Sequence, residues 1–397
     1  MLALSGKLLR LDGFGDDSPR EMIRVSTNAA LPKSLAADTA FLCNGEDAPS
    51  GFGLYLATER NAMSLQRLGP DARKATLPDA AGFLGDGDII RLSPTNQSYR
   101  VLFRVKANNN SLLLTERCNH YCLMCSQPPR DVSDDWVMDD VEQLIPMLPV
   151  STGELGLTGG EPTLYGSRLI NLLERIKRSL PNTAVHVLSN GRRFSDLEFA
   201  KAYARVGHPD LMIGIPLYSD DPARHNFVVQ AENAFGETVR GILNLKRCKQ
   251  RVELRVVIHR QTIDRLPQLA EYIGRNLLFV DQVALMGLEI TGFTKGNLGQ
   301  LWIDPHDYKQ TLESTVSTLA NYRIPTRVYN HQLCVVSDAV RPYCVQSISD
   351  WKREYLPSCA ACDLRHRCGG FFSSGIKSRH SDYIAPINET HGAIAMA

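Results

Sequence analysis

The sequence predicts an α/β protein built around a parallel sheet, either open or curled into a barrel, with a strand-rich region before it and a cysteine-rich region after it. Three observations carry this reading. Six strand patterns alternate with helix patterns between residues 111 and 286. Residues 1 to about 108 hold short apolar segments broken by turn signals. Two short runs collect six of the ten cysteines, three within eight residues and three within ten.

The bulk composition limits what the chain does. Its 397 residues suffice for two or three domains with a sizeable core. A net charge of +1 argues against a long nucleic-acid footprint, which needs a clear basic excess. No apolar run approaches the roughly 18 residues of a membrane helix. The opening stretch MLALSGKLLRLDG lacks the long apolar core and small-residue cleavage site of a signal peptide. The expectation is a soluble, cytoplasmic protein with neither nucleic acid nor membrane as partner. Thiols stay reduced in the cytosol, so clustered cysteines read as metal or iron–sulfur ligands before disulfides.

Within the first region, GDGDIIRLSP (85–94) and SYRVLFRVK (98–106) alternate as strands do. Cys43 stands alone there and reads as an inert buried thiol. No catalytic constellation occurs before KANNNS (106–111), a polar linker. SLLLT (111–115) is a short buried-type strand leading into the first cysteine run, and a helical stretch covers 138–148. Strands are then expected at 153–158, 184–191, 211–218, 252–259 and 279–286, with helices at 167–180, 195–207, 235–247 and 263–274. Chemistry in such folds sits where strands run out at their C-terminal ends. From about Thr291 the spacing predicts a helix over 302–322 and a strand over 326–330, then cysteine-rich chain to about 377. Residues 378–397 are polar, without periodicity, and read as a flexible tail.

The first chemical motif is CNHYCLMC, a C-x3-C-x2-C run of Cys118, Cys122 and Cys125. Three thiolates on one tight loop hold three irons of a cubane cluster and leave the fourth open. A zinc loop completed by His120 is the plainer alternative. About 34 residues on, the next strand ends in Gly159, Gly160, Glu161 and Pro162. Glycines there let backbone approach closely, and strand-end carbonyls with a carboxylate attract an ammonium group. Ser189, Asn190 and Gly191 end the following strand, offering hydrogen bonds to a ribose or carboxylate, or forming a plain turn. Arg255 and His259, and then Met286, Gly287 and Glu289, are further candidates around the same pocket. Cys248 and the Arg192-Arg193 pair read as an inert thiol and a solvated face.

The cysteine spacing resembles that of the radical S-adenosylmethionine (SAM) superfamily. The resemblance implies a partial (β/α)6 TIM-like barrel over 109–290, with SAM cleaved at the open iron. It further implies that Gly159, Gly160, Glu161 and Pro162 receive the amino group of SAM, and that Ser189 and Asn190 touch the cofactor. Met124 stands where that superfamily usually has an aromatic residue against the adenine, a departure that keeps a polarizable apolar contact. Cys359-x2-Cys362-x5-Cys368 resembles the core of the SPASM and twitch extensions, which bind auxiliary iron–sulfur clusters. A full SPASM domain has seven cysteines; the region from Cys334 on has five, so one auxiliary [4Fe–4S] cluster in a twitch-like domain over 291–377 is expected. Cys344, Cys359, Cys362 and Cys368 are its expected ligands, with Cys334 the alternative to Cys344 and a zinc knuckle the plainer reading.

A narrower resemblance rests on LLLTERCNHYCLMCSQPP, VALMGLEITGF and CVQSISDWKREYLPSCAACDLRHRCGGFF. These stretches are similar to the C-type radical SAM maturases of His-Xaa-Ser peptide systems. That similarity implies a precursor peptide substrate, a partner radical SAM maturase and an external electron donor. The expected reaction is hydrogen abstraction from the peptide by a 5′-deoxyadenosyl radical, with the auxiliary cluster accepting the electron released as a crosslink closes. Action on a small metabolite, sulfur insertion, and a non-enzymatic zinc module are the competing readings.

Overall fold

The computed structural model describes residues 2, 4–15, 17–45, 48–347 and 353–388. The chain divides into two compact units, Met1–Asn110 with Pro146–Thr152, and Ser111–Ile145 with Gly153–Ala397.

The first unit is built on eight strands: β1 (Ser5–Lys7), β2 (Arg10–Asp12), β3 (Glu21–Ser26), β4 (Thr39–Cys43), β5 (Leu54–Thr58), β6 (Lys74–Leu77), β7 (Ile89–Ser93) and β8 (Ser98–Phe103). They form one mixed sheet in the order β1-β8-β7-β3-β4-β5-β6-β2. The central strands β4 and β5 are buried on both faces, which their unbroken apolar sequences TAFLC and LYLAT require. Alternate residues serve two cores: Ala40 and Leu42 join Leu54, Leu56 and Ile90 on one side, while Phe41 and Cys43 join Tyr55 and Leu65 on the other. Cys43 is thus an apolar core residue of this unit. Part of the helix expected over 138–148 also belongs here. The α-helix runs Asp135–Leu144 and passes into a 3₁₀ turn at Ile145–Met147, where Pro146 removes a backbone donor. Arg24 donates to the Met147 carbonyl (2.5 Å), tying that turn to β3.

The second unit carries β9 (Asn110–Leu113), β10 (Glu154–Thr158), β11 (Ala184–Leu188), β12 (Leu211–Pro216), β13 (Arg251–Ile258), β14 (Gln282–Gly287) and β15 (Thr326–Tyr329). Strands lie side by side in strict sequence order from β9 to β15, and β10 to β15 pair in parallel throughout. This order decides between the two expected architectures. A doubly wound sheet reverses its strand order part-way. A monotonic order with right-handed crossovers puts every crossover helix on one face, as in a TIM barrel. Burial agrees: Val252, Leu254, Val256 and Ile258 of β13 are buried, while on the opposite face Glu253 is buried and Arg255 and Val257 are half-buried. The sheet ends at β9 and β15 without pairing them, so it is a partial barrel. It has seven strands where six were expected, because TRVY (326–329) joins it beside β14.

Two helix expectations are corrected. The stretch expected as a helix from 302 is helical only over Lys309–Asn321. Asp304 accepts the His306 N–H (2.9 Å) and holds 304–307 as a turn. A helix the sequence reading missed, Pro222–Val229, follows β12. Its signals were present: Asp221 caps the Ala223 N–H (3.0 Å) and Pro222 occupies the first turn. Of the expected tail, residues 380–387 contact the cysteine-rich region through His380 on Phe371 and Ile387 on Asp363. Residues 389–397 of that expected tail lie outside the described residues.

Candidate active site

At the C-terminal ends of β9 and β10 the chain continues the parallel pairing by two backbone bonds. Gly160 N–H donates to the Thr115 carbonyl and Glu161 N–H to the Arg117 carbonyl, each at 2.8 Å. This close approach explains both glycines. A Cβ on Gly159, whose φ is +151°, would lie 2.5 Å from the Thr115 oxygen, and one on Gly160 would lie 2.0 Å from the Arg117 oxygen. The GGEP turn and the cysteine loop are therefore one structural piece.

The loop of Cys118, Cys122 and Cys125 is held from two further sides. Tyr121 and Leu123 donate their N–H groups to the Val229 and Val228 carbonyls, each at 3.0 Å. These are the carbonyls that the end of the Pro222–Val229 helix leaves unpaired. On the other side, Asn297 binds the Leu123 carbonyl (2.8 Å), Thr294 the Met124 carbonyl (3.2 Å) and Phe293 N–H the Cys125 carbonyl (2.9 Å). Gly292, at φ +53°, permits this approach, since its Cβ would meet the Cys125 oxygen at 2.2 Å. Neither support was singled out in the sequence, because each lies more than 100 residues from the loop it holds. Met124 is buried against Tyr218, Val228, Val229 and Ala234, with Cys122 beside it.

The three thiols favour their protonated form. Burial pushes Cys118 up to about 12, with Glu161 and Cys125 adding repulsion. Burial also raises Cys122, reinforced by Cys125 and Cys118, and it raises Cys125. Such thiols become ligands when a metal's positive charge replaces their protons. Among the described residues, no three His, Cys, Asp or Glu side chains converge on a single ion.

Glu161 has a different surrounding from the one its motif suggests. It is 1% exposed and accepts from Thr163 N–H (3.0 Å), Thr163 Oγ1 (2.6 Å), Ser189 Oγ (2.7 Å) and Asn190 N–H (2.6 Å). Burial still raises its pKa, and these four donors offset part of that shift. The carboxylate thus clamps the end of β10 to the end of β11. Pro162 is buried in the short turn that follows, while Gly159 and Gly160 remain half-exposed. Asn190 in turn binds Asn119 of the cysteine loop (2.6 Å) through its side-chain amide. Thus Glu161, Ser189 and Asn190 all brace the loops around the thiols. A glutamine at 161 turns an amide N–H₂ toward a wall of donors. Glu161→Gln is expected to lower unfolding free energy by about 1–3 kcal/mol. Denaturant melts of the metal-free protein measure this, and an unchanged midpoint would remove the clamp role.

Beyond β12, the Tyr218 ring packs beside His225 (5.9 Å) and His259 (6.4 Å). Burial raises the Tyr218 phenol well above its usual range, and the three cysteine thiols and Arg255 act on it electrostatically. His259 is fully buried with neither ring nitrogen bonded, and burial lowers it to about 3. Arg255, on the open face of β13, binds Glu253 (2.7 Å) and approaches the Met286 sulfur (3.5 Å). Tyr218 and His225 escaped the sequence reading because their spacing matches no motif.

The second cysteine group lies in the same unit. A small cavity, about 20 Å³, is lined by Cys334, Cys359, Cys362 and Cys368, with Tyr355 and Arg365 among its wall residues. Cys344, the expected fourth ligand, packs beside Cys368 but does not line this cavity.

A one-faced parallel sheet with a three-cysteine loop at its strand ends defines a class, the radical SAM domain. Residues 112–273 match the family model described as Radical SAM superfamily, so the chain carries the domain of a radical SAM enzyme. Among solved structures, Streptococcus suis SuiB bound to S-adenosylmethionine is similar at 13% identity and a TM-score of 0.50, over 72% of this chain and 77% of that one. SuiB bound to the precursor peptide SuiA is similar at 13% identity and a TM-score of 0.44, over 61% and 51%. Native anSMEcpe with bound AdoMet and Kp18Cys peptide is similar at 16% identity and a TM-score of 0.48, over 70% and 92%. The chain spans about half, 52%, of a further SuiB chain. None of the curated proteins matches the sequence. No helix among the described residues is long and apolar enough to cross a membrane.

Proposed function

We propose that the chain is a SAM-cleaving maturase that oxidatively crosslinks a ribosomally made precursor peptide of the His-Xaa-Ser type. The observation that carries this reading is the presence of two separate cysteine sites in one unit, a three-thiol loop and a cavity lined by four. Three ligands leave an iron open for SAM, whereas four close a cluster and confine it to electron transfer. The similarity to SuiB, which has been seen with both SAM and a precursor peptide, supports a peptide as substrate.

In this reading Cys118, Cys122 and Cys125 hold the first [4Fe–4S] cluster, and Met124 gives SAM an apolar contact. The half-exposed Gly159 and Gly160 leave the loop edge free of side chains for the methionine end of SAM. Glu161, Ser189 and Asn190 keep that edge in place. When bound, the first cluster and SAM supply a 5′-deoxyadenosyl radical, and the second cluster supplies a redox partner for the peptide. A crosslink removes two hydrogens from the peptide: one goes as a hydrogen atom to the 5′-deoxyadenosyl radical, and the other leaves as a proton and an electron that the second cluster would take up. An external electron donor and a partner radical SAM maturase complete the proposed system.

The test is co-expression with the precursor peptide and partner maturase, followed by tandem mass spectrometry. The expected product is lighter by two hydrogens, with 5′-deoxyadenosine formed in step. A peptide of unchanged mass would sink the crosslinking claim. Absence of 5′-deoxyadenosine from anaerobic protein given SAM and a strong reductant would sink the enzyme claim itself.

A further inference from the structure

We propose that the auxiliary cluster is held by Cys334, Cys359, Cys362 and Cys368, with Cys344 outside its ligand set, and that the chain around Ala385–Ile387 is the strap that closes over it. The inference rests on the reading that an auxiliary cluster forms in this unit. It departs from the assignment that sequence spacing favours, and it gives a role to chain that composition marks as tail.

The cavity supplies the first argument. It is lined by four cysteines, and Cys334 is one of them. Cys334 sits in the 3₁₀ turn Leu333–Val335, directly after the chain leaves β15. Cys344 packs beside Cys368 without lining the cavity. Its backbone bridges to Val328 of β15, the neighbouring Val345 N–H binds the Val328 carbonyl (2.9 Å), and its sulfur faces the Val340 carbonyl at 3.7 Å. Cys334 already lines the cavity, whereas Cys344 reaches it only by turning its sulfur from the Val340 carbonyl.

The second argument is hydrogen bonding to sulfur. Ile387 N–H donates to Cys362 Sγ (3.4 Å), and Ala385 lines the cavity together with Cys334. A donor aimed at sulfur stabilises a thiolate that carries a cluster's negative charge and tunes its potential. That donor comes from residue 387, so the strap contributes to the site directly. It is anchored at several points: His306 stacks on Tyr383 at 3.7 Å, and Asp363 N–H binds the Ile387 carbonyl (3.0 Å).

The third argument is the wall. Leu333, Phe371, Ile384 and Ile387 make it apolar, which excludes water from the cluster. Arg365, stacked over Tyr355 at 4.9 Å, brings a positive charge beside an anionic four-thiolate cluster.

Iron and sulfide counts after anaerobic reconstitution of the full chain test the ligand set. At about four irons per cluster, the wild type is expected to hold about eight, Cys334→Ala about four, and Cys344→Ala about eight. The four irons of the SAM cluster serve as the folding control in each variant. A Cys344→Ala protein that drops to about four irons overturns the assignment, whatever Cys334→Ala does, and so does Cys334→Ala at eight. A wild type that itself holds about four overturns the auxiliary cluster and this assignment with it. For the strap, Ile387→Pro removes one N–H donor while Ile387→Ala keeps it. Ile387→Pro is expected to lower the midpoint potential of the second cluster and to shorten its lifetime in air, relative to Ile387→Ala. Equal potentials and equal lifetimes would overturn the strap.

Discussion

Replacing Gly160 with alanine is expected to reduce SAM cleavage at least 100-fold and to strip the first cluster from the protein. The argument is steric. The new methyl carbon would stand 2.0 Å from the Arg117 carbonyl oxygen, 2.5 Å from its carbon and 3.1 Å from the Cys118 Cβ. Those first two atoms are backbone and have no rotamer to yield. The collision is relieved only by moving the cysteine loop away from the GGEP turn, which breaks the Glu161–Arg117 backbone bond. That loop is also fixed by Val228, Val229 and the Gly292–Asn297 segment, so it does not shift freely. A displacement of about 1 Å at a reacting centre costs on the order of 100-fold in rate. Gly153→Ala is the control, because a Cβ there meets nothing within 4 Å. Iron analysis and 5′-deoxyadenosine formation measure the effect. A Gly160→Ala protein with full iron and full activity would show that the loop and the turn are not one piece.

Removing the three thiols is expected to abolish the reaction altogether. Cys118, Cys122 and Cys125 to alanine leaves no ligand for the first cluster, and no 5′-deoxyadenosine should form above the background of the reagents. The iron content should fall by about four per chain, with the second site untouched. Single substitutions are expected to cost nearly as much as the triple one, since ligands of one cluster act as a unit. The fold should survive. Cys122 is partly buried against the apolar cluster of Met124, Tyr218 and Val228, and alanine is compatible with that surrounding. SAM cleavage by the triple variant at even a few per cent of the wild-type rate would place the chemistry elsewhere in the chain.

Much of this was legible in the residue pattern. Strand-helix alternation after residue 111 is written in apolar periodicity, and β10 to β14 fall within a few residues of their expected places. The cysteine run and GGEP each lie at the end of a strand, as their local sequences imply. The failures have specific causes. The helix expected over 302–322 begins only at Lys309, because the Asp304 side chain closes a turn ahead of it. TRVY looked like part of a separate region because four residues carry no information about which sheet they join. The hydrogen bonds of Glu161 were not legible either, since its four donors come from Thr163 and from a turn 28 residues away.

The sequence by itself determined the class of chemistry. Three thiols at fixed spacing on one loop, glycines at the next strand end and a second cysteine run are local features, and local features are encoded by neighbouring residues. What the tertiary structure decided is how those features meet. It ordered the strands monotonically, so that helices cover one face and strand ends share the other. It brought Val228, Val229, Thr294 and Asn297 to the cysteine loop across more than 100 residues. It also put Cys334 at the cavity of Cys359, Cys362 and Cys368, and Cys344 beside it. The physical reason is the same in each case. Spacing along a chain limits how far two groups can be apart, but the backbone pairing and side-chain burial of distant segments set which groups share a cavity.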